Sequence, residues 1–83
     1  MDYDKLGWLK ASQYRQNILV ILSKQICTPK DISIETGYYL SHVSNTISEL
    51  KKRGLVECLT PQRKKGRIYK TTKEGNFFVK KIK

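Results

Sequence analysis

The sequence predicts an α+β domain, mostly helical, in which a helical core runs into a short β-hairpin and a closing helix. Three observations predict it. Apolar residues recur at three- and four-residue spacing between Tyr14 and Leu50. Two short β-prone runs flank a loop that carries Pro61, Gly66 and three consecutive cations. The chain has 83 residues, about half the usual length of one domain, so it has room for a single small core. That length argues against a multidomain enzyme with a deep cleft, and 39% hydrophobic with 29% charged residues fits a folded domain rather than a disordered one.

Residues 1–11 form an apolar lead with Tyr3, Leu6, Trp8 and Leu9, expected as a short helix packed on the body or on another subunit. The first core helix starts after the cap Ser12 and ends near Lys24. Tyr14, Ile18, Ile21, Leu22 and Gln25 share one face of it, four of the five apolar. The next helix opens at Thr28, with Pro29 at its first position and Asp31 at its third, the pattern of a capping box. Ile32 and Ile34 are its inward candidates, and Gly37 stops it. The third helix is expected to be capped by Ser41, with Leu40 just before it. Val43, Ile47 and Leu50 make its buried stripe; Gly54 ends it and Leu55 folds back on Leu50.

Two strands follow, Val56–Leu59 and Arg67–Thr71, joined by residues 60–66 as a hairpin with a basic tip. A last helix covers about Thr72 to Ile82, with Phe77, Phe78 and Ile82 apolar.

Charge is lopsided. Residues 1–50 hold five basic and five acidic residues, whereas residues 51–83 hold twelve basic and two acidic ones, so the whole net charge of +10 sits in the last 33. A one-ended basic surface points to a polyanion, nucleic acid before an acidic membrane. Two short helices joined by a Gly-containing turn are a helix-turn-helix, whose second helix fits the major groove. Its exposed face here reads Ser41, His42, Ser44, Asn45 and Ser48, short side chains able to reach base edges; Asn45 suits bidentate pairing with adenine. Lys51, Lys52 and Arg53 lie further along, suited either to phosphate or to the negative end of the helix dipole. Arg63, Lys64, Lys65 and Arg67 put four cations on the hairpin, to lie along the backbone or minor groove.

The stretch TPKDISIETGYYLSHVSNTISELKKRGLVECLTPQRKKGRIYKTTKEG (28–75) resembles winged helix-turn-helix regulators, in particular small archaeal transcriptional regulators related to the MarR and ArsR families. TPKDI, SHVSNTISELKKRGLVECLTP and KGRIYKTTKEG carry the likeness, and ASQYRQNIL (11–19) resembles the preceding helix. The resemblance implies a three-helix core, a two-stranded β-hairpin wing and a flanking C-terminal helix. It also implies organisation as a lead over 1–11, a DNA-binding domain over 12–72 and a C-terminal helix over 73–83. It puts Ser41, His42, Ser44 and Asn45 toward the major groove, with Ser48 a turn on. Arg63, Lys64, Lys65 and Arg67 fall on the wing, and Lys30 meets a phosphate. Relatives often carry Arg in place of Asn45, which implies weaker binding per half-site and a different preferred base. They often carry Leu in place of Thr71, so the resemblance does not carry over the packing of the final strand. The paired cysteines of metal-sensing relatives are missing from the third helix.

The expected partner is double-stranded DNA, bound by a homodimer, since two-fold pairing doubles a short site. Leu6, Trp8 and Leu9, with Phe77, Phe78 and Ile82, are the candidate dimer surfaces. The alternative is a winged-helix module for protein contact or non-specific nucleic-acid binding within a larger complex. No enzyme is expected: Asp31, Glu35 and His42 form no acid–base spacing, and no phosphate-cradling Gly loop or metal motif is present, so no cofactor and no metal are expected. The longest apolar run, Ile18–Leu22, is too short for a membrane span, and the Lys80-Lys81-Lys83 end lacks a long amphipathic helix. No separate ligand domain fits in this length. Cys27 and Cys58 read as small apolar residues of a reducing compartment, in keeping with a cytoplasmic, nucleoid-associated protein.

Overall fold

The fold is that of a computed structural model, which describes residues 3–82. The parts of the lead and of the basic end that fall on residues 1, 2 and 83 lie outside the described residues. The order is α1 (Tyr3–Lys10), α2 (Gln13–Lys24), α3 (Pro29–Thr36), α4 (Leu40–Lys52), β1 (Val56–Cys58), β2 (Tyr69–Thr71) and α5 (Lys73–Ile82). This is a winged helix-turn-helix: α2, α3 and α4 enclose the core, β1 and β2 form the wing, and α1 and α5 pack on α2.

Local chemistry sets most boundaries. Ser12 caps α2 by accepting from the Arg15 N–H. Thr28 and Asp31 form a reciprocal capping box on α3, whose C-cap Gly37 is left-handed. At the end of α4 the Leu55 N–H donates to the Leu50 carbonyl and the Gly54 N–H to that of Lys51, the two bonds of a Schellman motif. Gly54 holds φ 78°, a conformation that costs a residue with a Cβ more than it costs glycine. Leu50 and Leu55 are both fully buried.

Four expectations change. Ile34 is 72% exposed, because a two-turn helix buries only a narrow stripe, here Ile32. The α4 cap is Tyr39, not Ser41: Leu40 is already helical, and no side chain caps this helix. The buried face of α2 is centred on Ile18, Leu19 and Leu22, while Tyr14 is exposed and Gln25 is the C-cap. The strands are shorter than expected, three residues each, although the Leu59 N–H still donates to the Ile68 carbonyl.

The wing is tied to the body in a way the sequence does not signal. Cys27, in the α2–α3 connection, exchanges two backbone hydrogen bonds with Tyr69, while Cys58 faces Tyr69 from the other side. The two cysteines therefore flank one residue, roughly 9–10 Å apart at ordinary strand spacing, beyond disulfide reach. Both are free thiols. Burial is the main cause that pushes the Cys27 thiol up to about 11, with Asp31 and Glu35 adding to it.

α5 sits hard against the α4–β1 turn. The Thr72 N–H donates to the Leu55 carbonyl, and the Thr72 hydroxyl donates to the Gly54 carbonyl while accepting from the Gly75 N–H. A Cβ at Gly75 would lie 2.1 Å from the Leu55 carbonyl oxygen, so only glycine permits this approach. Thr71, where relatives often carry Leu, is buried and its hydroxyl donates to Asn76 Oδ1 at 2.6 Å. Among the described residues no buried side-chain polar atom lacks a partner.

Candidate nucleic-acid interface

Helical spacing divides the surface of α4 into three rows, because residues at i, i+4, i+7 and i+11 stand above one another. Ser41, Asn45, Ser48 and Lys52 form the crest, opposite the buried Val43, Thr46, Ile47 and Leu50. All four crest residues are exposed. Leu40, Ser44 and Lys51 form the flank toward the wing, and His42, Glu49 and Arg53 the flank toward α1 and α2.

The flank toward α1 and α2 is occupied from within. The His42 ring meets Tyr14 edge-on at 4.1 Å, and Tyr14 meets Tyr38 at 4.5 Å. Glu49 lies 3.8 Å from the Arg15 guanidinium. Trp8 is sandwiched between Arg15 and Arg53, their guanidinium carbons 4.2 and 4.1 Å from the ring centroid. Arg15 also donates to the Trp8 carbonyl at 2.9 Å. The turn before α4 is fixed as firmly. Ser33 donates to the Tyr38 carbonyl, the Tyr38 N–H donates to the Thr36 hydroxyl, and the Tyr38 phenol accepts from Asn17. These contacts set the angle at which the crest is presented.

The other flank opens onto a groove of about 540 Å³ between α4, the start of α3 and the wing. Leu40, Ser44, Pro29 and Tyr69 line it, and Lys30, Lys64, Lys65 and Arg67 also contribute to its walls. The wing is held at its base by the Ile68 N–H donating to the Thr60 hydroxyl and the Arg63 N–H donating to the Thr60 carbonyl. Arg67 Nε donates to the Arg63 carbonyl, which crosses the loop. On α3, the Thr28 backbone N–H, and then its hydroxyl, hold Asp31 below the usual carboxylate range, so the capping box stays charged beside Lys30.

Of the residues singled out from sequence, Ser41, Asn45 and Ser48 lie together on the crest. Ser44, Lys30, Lys64, Lys65 and Arg67 gather at the groove. Arg63 is exposed on the wing, and Lys51 is exposed near the end of α4. His42 is exposed but packed edge-on to one side against Tyr14. Leu40 and Tyr39 were not among those site residues, and Lys52, which the sequence offers to phosphate or to the helix dipole alike, lies on the crest. Lys52 stands eleven residues on from Ser41, in the same row, and Leu40, expected just before the helix, lies within it. The proposed dimer surfaces divide. Leu9 and Phe78 are core residues at 0% and 2% exposure, with nothing left to offer a second chain, so the helices that carry them share the central core. Leu6, Trp8 and Ile82 are partly buried against that core. Phe77 remains 44% exposed, beside Lys81.

Among the described residues, no three His, Cys, Asp or Glu side chains gather as a metal-binding set. No helix there is long and apolar enough to cross a membrane.

No protein-family profile matches the sequence. No curated protein matches it either. Solved structures do. The homodimeric winged helix-turn-helix DNA-binding domain of Mb0332 from Mycobacterium bovis, a possible ArsR-family transcriptional regulator, matches with a TM-score of 0.78 at 22% identity, over 96% of this chain and 73% of that one. Two structures of a Lactococcus lactis ZitR variant, one in apo form, match with TM-scores of 0.76 at 17% identity over 86% of this chain. The chain spans about half the length of those ZitR chains, 49% and 55%. The likeness is one of fold.

Proposed function

We propose that the chain is a sequence-specific, double-stranded-DNA-binding transcriptional regulator that acts as a homodimer. The observation that carries this is the open crest of α4 beside a groove and wing rich in cations. Ser41, Asn45 and Ser48 bring small donors and acceptors to base edges, with Asn45 suited to adenine. Lys52 continues their row toward phosphate. Lys30, Lys64, Lys65 and Arg67 border the path of a phosphate backbone beside α4, and Arg63 and Lys51 extend it. The uncapped first turn of α4 adds the positive end of its dipole. His42, turned onto Tyr14, serves the edge of the contact rather than its centre.

Mb0332's DNA-binding domain is homodimeric, and that supports a dimer here. With Leu9 and Phe78 in the core, the dimer surface falls to the outer faces of α1 and α5, where Tyr3 and Phe77 are exposed. DNA binding rather than catalysis fits both this geometry and the neighbours, and it fits a protein that works where DNA is.

Selection from a random duplex pool, followed by titration against salt, tests the reading. Enrichment of a two-fold symmetric site, bound far more tightly than random DNA, is expected. Equal binding of all sequences, with steep salt dependence, would replace it with non-specific binding. A second reading, contact with another protein, draws on Ile26 and Ile34, exposed beside Asp31 and Glu35 on the side of α3 away from the groove. It predicts no enrichment at all.

A further inference from the structure

We propose that Leu40 reads thymine methyl groups, so that the preferred duplex is recognised in part through the 5-methyl positions of its thymines. This rests on the reading that α4 enters the major groove. The other aliphatic residues of α4, Val43, Ile47 and Leu50, are at most 2% exposed, whereas Leu40 is 48% exposed in the first turn. It is not needed to close the core. A single exposed leucine is ordinary on a protein surface. This one is distinguished by its place. It lines the groove with Ser44 one turn further on, Pro29 and Tyr69 supply neighbouring apolar wall, and Lys30, Lys64, Lys65 and Arg67 surround them.

That combination commits the occupant. Four cations around an apolar patch suit a ligand with anions at its margins and an apolar group at its centre. A DNA duplex has that arrangement: phosphates border the major groove, and the only methyl on its floor belongs to thymine. Leucine has neither donor nor acceptor, so it distinguishes bases by apolar contact alone. The adjacent thymine O4 is an acceptor, and the Ser44 hydroxyl, at i+4 from Leu40, is a donor on the same row. Leu40 and Ser44 thus form a two-point reader for one thymine edge. Tyr39, 85% exposed at the preceding position, extends the apolar approach.

The test replaces thymine by deoxyuridine, which removes the methyl and leaves the hydrogen-bonding pattern. The duplex pool selected on the wild-type protein is copied once with thymidine and once with deoxyuridine triphosphate, and binding of the full chain and of Leu40→Ala is titrated against both. Thermal melting confirms that the variant is folded. The wild type is expected to bind the deoxyuridine pool about fourfold more weakly for each contacted methyl, and about sixteenfold for one contact in each half of a symmetric site. Leu40→Ala is expected to bind both alike. A selected pool bound equally with and without methyls overturns the assignment and leaves the DNA-reading function standing. Methyl dependence that survives in Leu40→Ala moves the contact to another residue and overturns it too. Failure to select any sequence overturns both.

Discussion

The two flanks of α4 belong to one helix and are treated oppositely by the rest of the fold. Toward α1 and α2, His42 packs on Tyr14, Glu49 pairs with Arg15, and Arg53 closes a stack over Trp8. Toward the wing, Leu40 and Ser44 line an open groove with four cations among its walls. The capping shows the same division: side chains cap α2, α3 and α5, and none caps α4. The difference separates two tasks. One flank is packed against α1 and α2, and the proposed function gives the crest and the other flank to DNA. Substitutions on the first should move stability, and substitutions on the second should move affinity.

The largest effect is expected from Gly75→Ala, on the holding side. Its Cβ would meet the Leu55 carbonyl, and the clash would separate α5 from the turn that ends α4. A loss of about 3 kcal/mol or more is expected, read as a fall in Tm of more than about 12 °C. An unchanged melt would mean that α5 does not seat here. The next largest is on the open side. Replacing Arg63, Lys64 and Lys65 together by alanine should weaken binding to all duplexes by more than about tenfold and reduce the salt slope by about two to three, with Tm nearly unchanged. An unchanged slope removes the wing from the interface. Asn45→Ala should cost about 1–3 kcal/mol on the selected site and far less on random DNA. Equal losses on both would take Asn45 out of base reading.

Trp8→Ala sharpens the comparison from the other side. It removes two cation–π contacts and the packing between α1 and α4, an expected loss of about 2 kcal/mol in folding stability by denaturant titration. The salt slope of DNA binding should not change, since no phosphate contact is lost. The smallest effect concerns Cys27. Its raised value favours the neutral thiol in the folded state, so its contribution is full below the ordinary value of 9.0 and is lost as pH rises through about 11. Relative to Cys27→Ala, the wild type should lose stability across that window. Alkylation near neutral pH should modify the partly exposed Cys58 well before the buried Cys27.

Much of this was legible where the determinants are local. The capping box at Thr28 and Asp31 and the Gly54 turn with Leu55 after it need only neighbouring residues and formed as read, and the basic hairpin formed with shorter strands. What failed depends on distant chain. Nothing near Leu9 or Phe78 says that both belong to one core, so the sequence leaves packing on the body and packing on a second subunit open for them. The Cys27–Tyr69 bridge is one residue pair long and leaves no alternation to detect. The need for glycine at position 75 comes from the Leu55 carbonyl, which is distant in sequence. On α4 the polar face was visible as composition, but its division into a held flank and an open one depends on Tyr14, Arg15 and Trp8, which lie on other helices.

The division of α4 is tested most directly by titrating isotope-labelled protein with a selected duplex and following backbone and side-chain NMR shifts. The largest changes are expected at Leu40, Ser41, Ser44, Asn45, Ser48 and Lys52, at Lys30, and across residues 63–67. Small changes are expected at Trp8, Tyr14 and Arg15. Large shifts centred on Trp8 and Tyr14, with a silent crest and wing, would contradict that division.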